Sequence, residues 1–227
     1  MQNHSRTVAV AMPYGGAVDR GTAHRVLRNT YALLSMTLLF SATVAWAAVA
    51  FSLPAPGLIL TLVAYFGLLF GIHKLKNRGA AVGLVFALTG FMGWTLGPLL
   101  TRTLALPAGG QAVMLALGAT GAVFLALSAY GRTTKRDLSW MGGFLFAGMI
   151  IALLAGLAAV FFQIPALALT VSAVVALLSA GLILFETKQI VDGGETNYVL
   201  ATVSLFVSIF NLFASLLQLF GFAGSDE

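Results

Sequence analysis

The chain has 227 residues, of which 59% are hydrophobic and only 8% are charged, and its formal net charge is +5. Soluble globular domains carry about 25% charged residues, so this composition excludes a water-soluble domain and indicates an integral membrane protein. The mean hydropathy of +0.98 agrees. The chain has no cysteine, which excludes disulfides and cysteine-based metal or nucleophile sites.

Seven apolar runs follow one another along the chain. A helix needs about 20 mostly apolar residues to cross the hydrocarbon, and each run is close to that length. Lipid offers no partners for backbone N–H and C=O groups, so every span is expected to be helical. The sequence therefore predicts an all-α protein with seven transmembrane helices, at residues 29–52, 56–73, 79–101, 109–131, 138–162, 166–187 and 197–222.

The basic residues predict the orientation of these helices. Eleven of the twelve fall on one side, and only Arg102 falls on the other. The eleven are Arg6, Arg20, Arg25, Arg28, Lys74, Lys76, Arg78, Arg132, Lys135, Arg136 and Lys188. Basic loops stay in the cytoplasm, so the positive charge is explained by topology and not by nucleic-acid binding. We expect a disordered cytoplasmic tail at 1–28, a transmembrane domain at 29–222 and a periplasmic C-terminal tail at 223–227.

Small residues within the spans indicate close helix packing. Gly79 and Gly83 form one GxxxG pair, and Gly93 and Gly97 form another. Small residues let helix backbones approach each other where lipid supplies no hydrophobic drive between helices. We therefore expect these glycines to lie at helix–helix contacts.

Two polar stripes run along the last two spans. Ser172, Ser179 and Glu186 are spaced by seven on the sixth span, and the seventh carries a stripe with steps of four and three. At these spacings each set shares a helical face, which should point into the bundle and away from lipid. Such a seam serves either as hydrogen-bonding glue or as a hydrated path. The seventh-span stripe consists of Ser204, Ser208, Asn211, Ser215 and Gln218.

Glu186 is the only acid within a predicted span, near its cytoplasmic end. An ionisable group inside a membrane is a candidate for function. It is either a structural ion pair, with a partner such as Arg28, His73 or Lys74, or a proton-sensing latch or ion ligand. Two acids in the next loop, Asp192 and Glu195, are further candidates for a gate or an ion site. The simpler interpretation of Glu195 is that it favours the dipole at the start of the seventh helix.

Catalytic motifs are missing from the sequence. We find no Gly-x-Ser-x-Gly elbow, His-Glu-x-x-His helix or P-loop. The three histidines, His4, His24 and His73, lie far apart in the sequence. We therefore predict a protein that is not an enzyme, with no cofactor and no confident metal site.

Several strings resemble a known family from about residue 20 onward. They are HRVLRNTYALLSMTL from His24, TGFMGWTLGPLL, SAYGRTTKRDLSWMGG and LFETKQIVDGGETNYVLATVSLFVSIFNLF. Together they resemble the YccA-like bacterial branch of the Bax inhibitor-1 family. The resemblance implies a seven-helix bundle with a central, polar-lined last helix in the bacterial inner membrane. It also implies binding to the membrane AAA+ protease FtsH, with its membrane regulatory complex, and slower attack on membrane substrates.

Other branches of the family resemble pH-sensitive calcium leak channels, in which an aspartate on helix six and one on helix seven share protons. The helix-six acid matches Glu186, whereas the helix-seven aspartate falls on Ser208. Calcium takes six to eight oxygens with substantial negative charge, and Glu186, Ser208 and Asn211 supply fewer unless Asp192 or Glu195 contributes. We therefore expect a modulator of FtsH, with a pH-sensitive calcium or cation leak gated by Glu186 as the alternative. A structural assembly partner is a third possibility.

Overall fold

The computed structural model describes residues 20–223, and this part of the chain contains seven α-helices and no β-strand. All seven helices are long and apolar enough to cross a membrane, as the sequence predicts. Their bounds are α1 Arg20–Ala50, α2 Leu58–Leu75, α3 Ala80–Leu104, α4 Gly109–Thr133, α5 Ser139–Phe161, α6 Pro165–Val191 and α7 Tyr198–Ala223. Most ends lie within a few residues of the predicted ones because proline, glycine and charged residues mark them.

The start of α1 differs most from the prediction. Residues 20–28, expected to belong to a disordered tail, form the first turns of this helix. Val26 is buried there in the main apolar core, while Arg25 and Arg28 remain exposed. The candidate membrane span of α1 begins at Ala23, inside this segment, and one apolar face is enough to hold the segment on the bundle. The tail residues 1–19 and the C-terminal residues 224–227 lie outside the described part of the chain.

Helix α7 lies at the centre of the bundle. It contacts α1, α3, α4 and α6, and its buried side chains form much of the main core. Phe206, Leu205 and Leu217 of α7 are almost completely inaccessible. The other two helices lie further out, because α2 packs mainly against α3 and α5 packs against α6. A central last helix is what the family resemblance implies.

The two GxxxG pairs behave differently. A methyl group added at Gly97 would lie 2.7 Å from Cβ of Ala48, and one added at Gly93 would collide with the carbonyl oxygen of Ser41. This pair therefore sets a close crossing of α3 with α1. The expectation for Gly79 and Gly83 is wrong, because neither would meet any atom within 4 Å. Both lie at the start of α3, on the side of the helix that faces away from the core.

Candidate functional site: the polar seam between α6 and α7

The structure brings the Glu186 carboxylate of α6 against the Ser208 hydroxyl of α7. The Ser208 Oγ atom lies 3.0 Å from one carboxylate oxygen and 3.1 Å from the other. Ser208 is buried and Glu186 is partly buried. A hydroxyl carries a single proton, so Ser208 donates to one of the two oxygens at a time. This pair is the level of the seam nearer the α6–α7 loop.

A second polar contact joins the same two helices near their other ends. Ser172 Oγ of α6 donates to Gln218 Oε1 of α7 over 2.8 Å. Fourteen residues of helix separate Ser172 from Glu186, which corresponds to about 21 Å along the axis. The two stripes therefore face each other at two levels that are far apart across the membrane.

The residues between these two levels make the seam tight and not open. Ser179 is completely buried, and its Oγ has no hydrogen-bond partner within residues 20–223. Ser215 is also buried, and Asn211 is partly buried. These small buried side chains close the seam, whereas the hydrogen bonds described between α6 and α7 are those at Ser208 and Ser172, which fit the interpretation of the seam as glue.

Ser204 does not belong to the seam. It shares the α7 stripe by spacing, but its side chain is exposed and lines a groove between α2 and α7. Spacing along a helix places residues on a broad face, and it does not say which neighbour covers each part of that face. Here α6 covers Ser208, while no helix covers Ser204.

The structural ion pair, one of the two alternatives for Glu186, is not found within residues 20–223. Arg28, His73 and Lys74 are all exposed and none pairs with this carboxylate. The ion pair found within residues 20–223 joins Lys188 Nζ to Asp192 Oδ1 over 2.8 Å. The basic side chains lie at helix ends that turn outward to solvent, which leaves the hydroxyl of Ser208 as the hydrogen-bond donor to Glu186.

Sequence reasoning missed the neighbours that fix the position of Glu186. Thr187 is completely buried, and its Oγ1 lies 3.4 Å from Ser128 Oγ of α4. Gly131 lets α4 come close there, because an added methyl group would lie 3.2 Å from the Leu184 carbonyl oxygen. The sequence feature that could have indicated this contact is Thr187 itself, a hydroxyl residue next to the only acid within a predicted span.

Both loop acids form local contacts away from the seam. Asp192 accepts from Lys188, whose Nζ also donates to the Thr134 carbonyl oxygen over 2.9 Å. Glu195 Oε1 accepts from the backbone N–H of Asn197 over 2.7 Å. Neither acid forms a hydrogen bond to Ser208 or shares a described contact with Glu186. Across residues 20–223, no group of three or more His, Cys, Asp or Glu side chains is arranged to hold a metal ion.

Asn197 is a second residue that sequence reasoning missed. Its Oδ1 accepts from the backbone N–H groups of Val199 and Leu200, which caps the start of α7. Its Nδ2 donates to the Lys76 carbonyl oxygen and to Asn77 Oδ1, each over 3.1 Å. One side chain thus caps the central helix and ties it to the α2–α3 loop. An asparagine directly before an apolar run is a recognised signal for such a cap.

Comparison with known proteins agrees with this architecture. Residues 23–225 match the family model described as inhibitor of apoptosis-promoting Bax1. The chain is 52% identical over 206 residues to the protein named modulator of FtsH protease YccA from Escherichia coli K12, covering 90% of this chain and 93% of that protein. It has the same identity and coverage with the protein named inner membrane protein YccA from E. coli O6:H1.

A further relative comes from another genus. The chain is 49% identical over 202 residues to an uncharacterised protein of Pseudomonas aeruginosa, which covers 89% of this chain and 91% of that protein. The family match extends over nearly all of the described helices, and the relatives match over nearly their whole length. The chain therefore belongs to the Bax inhibitor-1 family.

Proposed function

We propose that this chain is a non-enzymatic protein of the bacterial inner membrane that binds the FtsH protease and slows its action on other membrane proteins. One observation carries the proposal: 52% identity, over 90% of the chain, to a protein named modulator of FtsH protease. The name inner membrane protein, carried by the E. coli O6:H1 relative, supports the location.

The proposed orientation places the N-terminus in the cytoplasm and the C-terminus in the periplasm. The start of α1, the α2–α3 loop, the α4–α5 loop and the α6–α7 loop would then face the cytoplasm together. These are the segments that hold the basic residues, as positive-inside topology requires. FtsH modulation would therefore take place with this basic face and the tail of residues 1–19 on the cytoplasmic side.

The proposed mechanism is occupancy of the protease by a chain that is hard to extract. Close contact of α1 with α3 at Gly93 and Gly97 and hydrogen bonds between α6 and α7 at Ser208 and Ser172 oppose the removal of single helices. A protease that pulls on such a bundle is held for longer than one that pulls on a loosely packed substrate. The tail would supply the segment that the protease engages.

The geometry of the seam gives little support to the alternative function, a calcium or cation leak gated by Glu186. Two close carboxylates can share a proton and titrate as a pair, but Glu186 faces the hydroxyl of Ser208. Only one observation would restore this alternative: calcium flux into liposomes that depends on pH and is lost in Glu186→Gln.

Direct binding tests the first half of the proposal. The full chain with an affinity tag and untagged FtsH are reconstituted together in liposomes, solubilised in mild detergent and captured by the tag. We expect FtsH to be retained at near-stoichiometric amounts. A matched chain that lacks residues 2–19 keeps every described helix and shows whether the tail contributes. If FtsH is not retained by either chain, direct binding is wrong.

A further inference from the structure

An open groove separates the cytoplasmic ends of α2 and α7, on the orientation proposed above. It measures about 560 Å³. The groove exists because α2 packs against α3 and does not close onto α7. It is lined by Phe66, Leu69, Phe70, Ile72, His73, Leu200, Val203 and Ser204.

The groove is apolar along its length and basic at one end. Ile72 and Val203 are buried at its base, whereas the rings of Phe66 and Phe70 are 52% and 72% exposed beside it. His73 lines the end of the groove where α2 finishes. Lys74, Lys76 and Arg78 follow directly in the sequence, and Lys74 and Arg78 are exposed.

The nearby acids do not cancel this positive charge. Glu195, next to the start of α7, keeps its negative charge when it accepts from the Asn197 N–H, but Lys74, Lys76 and Arg78 outnumber it. Asp192 is paired with Lys188. The carboxylate of Glu186 is turned towards Ser208 on the seam side of α7. The groove is therefore apolar and carries positive charge at one end. Such a groove is complementary to an anionic amphiphile.

Ser204 adds an independent observation. It is an exposed hydroxyl on the groove wall, and it forms no hydrogen bond within residues 20–223. Polar side chains in a membrane normally find a partner, because hydrocarbon offers none. Ser208, four residues further along the same helix, has such a partner in Glu186. The Ser204 hydroxyl therefore faces the groove, about six residues after the start of α7, and has no acceptor among the described residues.

We propose that this groove binds one anionic glycerophospholipid of the cytoplasmic leaflet. Its phosphate group lies at His73 and Lys74, an ester carbonyl oxygen accepts from Ser204, and its acyl chain lies against Phe70 and Phe66, further into the membrane. The groove spans only residues 66–73 of α2, about 10 Å along the helix axis, which is too short to bury the face of a partner's transmembrane helix. Its volume is ordinary for a small-molecule site.

The test uses the full chain purified in detergent and an equimolar mixture of phosphatidylglycerol and phosphatidylcholine with identical acyl chains. Native mass spectrometry counts the lipids retained. Each basic residue near a membrane surface contributes about 1 kcal/mol to the attraction of anionic lipid, so we expect roughly fivefold to tenfold preference for phosphatidylglycerol. Equal retention of the two lipids overturns the proposal.

Two variants locate the site. The double variant His73→Gln and Lys74→Gln should lose the preference, whereas Lys135→Gln, which removes an exposed charge from the α4–α5 loop, should keep it. Ser204→Phe fills the groove and should reduce retention of both lipids, whereas Val174→Phe, at an exposed position of α6, should not. If Lys135→Gln lowers the preference as much as the double variant, the effect is diffuse charge and the groove is not the site.

A third measurement does not depend on the folding of any variant. Phosphatidylglycerol with a photoactivatable acyl chain is crosslinked to the unaltered chain, and the labelled peptides are identified. Labelling concentrated at residues 66–73 and 200–204 supports the site. Labelling spread evenly over the lipid-facing helices overturns it. Neither result depends on FtsH, so this proposal and the proposed function can fail separately.

Discussion

At the scale of single residues, the difference between Ser204 and Ser208 is informative. Both are serines on one stripe of α7, yet Ser208 donates to Glu186 and Ser204 faces an open groove. The helical period predicts that they lie near each other on the helix surface. The neighbouring helix that covers each one depends on how α2 and α6 pack, which is a tertiary property that the period does not contain.

Ser208→Ala should lower the free energy of unfolding by about 0.6 kcal/mol, the average for hydrogen bonds between membrane helices, and by no more than about 1.7 kcal/mol. The loss arises because Glu186 then has no donor among the described residues. Ser204→Ala is the matched control, since it removes the same hydroxyl from the same helix without removing a hydrogen bond. Reversible unfolding in mixed micelles measures both. Equal losses for the two variants would show that the Glu186 contact contributes nothing to stability.

At the scale of elements, the sequence predicts the seven helices well. Length and hydropathy identify a span because the bilayer requires both of them. The sequence is less informative about which small residues lie at helix–helix contacts, and the two GxxxG pairs of α3 show why. Gly93 and Gly97 lie against α1, whereas a methyl group added at Gly79 or Gly83 would meet no atom within 4 Å, although both pairs have the same spacing. The crossing point of two helices decides this, and it is set by the whole bundle.

Gly93→Ala should therefore destabilise the bundle, by about 1 to 3 kcal/mol, because the new methyl group collides with the backbone of α1 at Ser41. Gly83→Ala lies ten residues earlier on the same helix and meets no atom within 4 Å. It should be neutral or stabilising by up to about 1 kcal/mol, since alanine favours a helix. Thermal unfolding in detergent compares the two, and a Gly93→Ala variant as stable as Gly83→Ala would contradict the close crossing.

The start of α7 offers a second test at this scale. Asn197→Ala removes the cap of α7 and the tie to the α2–α3 loop, and it should cost about 0.5 to 2 kcal/mol. Asn197→Asp keeps an oxygen for the cap but loses the donor to Lys76 and Asn77. Hydrogen exchange of the first turn of α7 should rise in the alanine variant and stay low in the aspartate variant. Faster exchange in both would show that the tie, and not the cap, protects this turn.

At the scale of the whole molecule, the sequence and the structure support the same family by different routes. The quoted strings resemble the family from residue 20 onward, and the structure places the last helix at the centre of the bundle. The role of Glu186 could not be predicted in the same way. None of the basic residues suggested as its partner, Arg28, His73 and Lys74, pairs with it, because these side chains turn to solvent and the carboxylate turns to Ser208.

Modulation of FtsH is the central claim, and a degradation rate tests it most directly. FtsH and a membrane substrate are placed in liposomes with increasing amounts of this chain, and loss of the substrate is followed over time. We expect the rate to fall as the chain approaches the amount of protease, and the fall to be smaller for a chain that lacks residues 2–19. A rate that stays constant up to a clear excess of the chain would contradict the account.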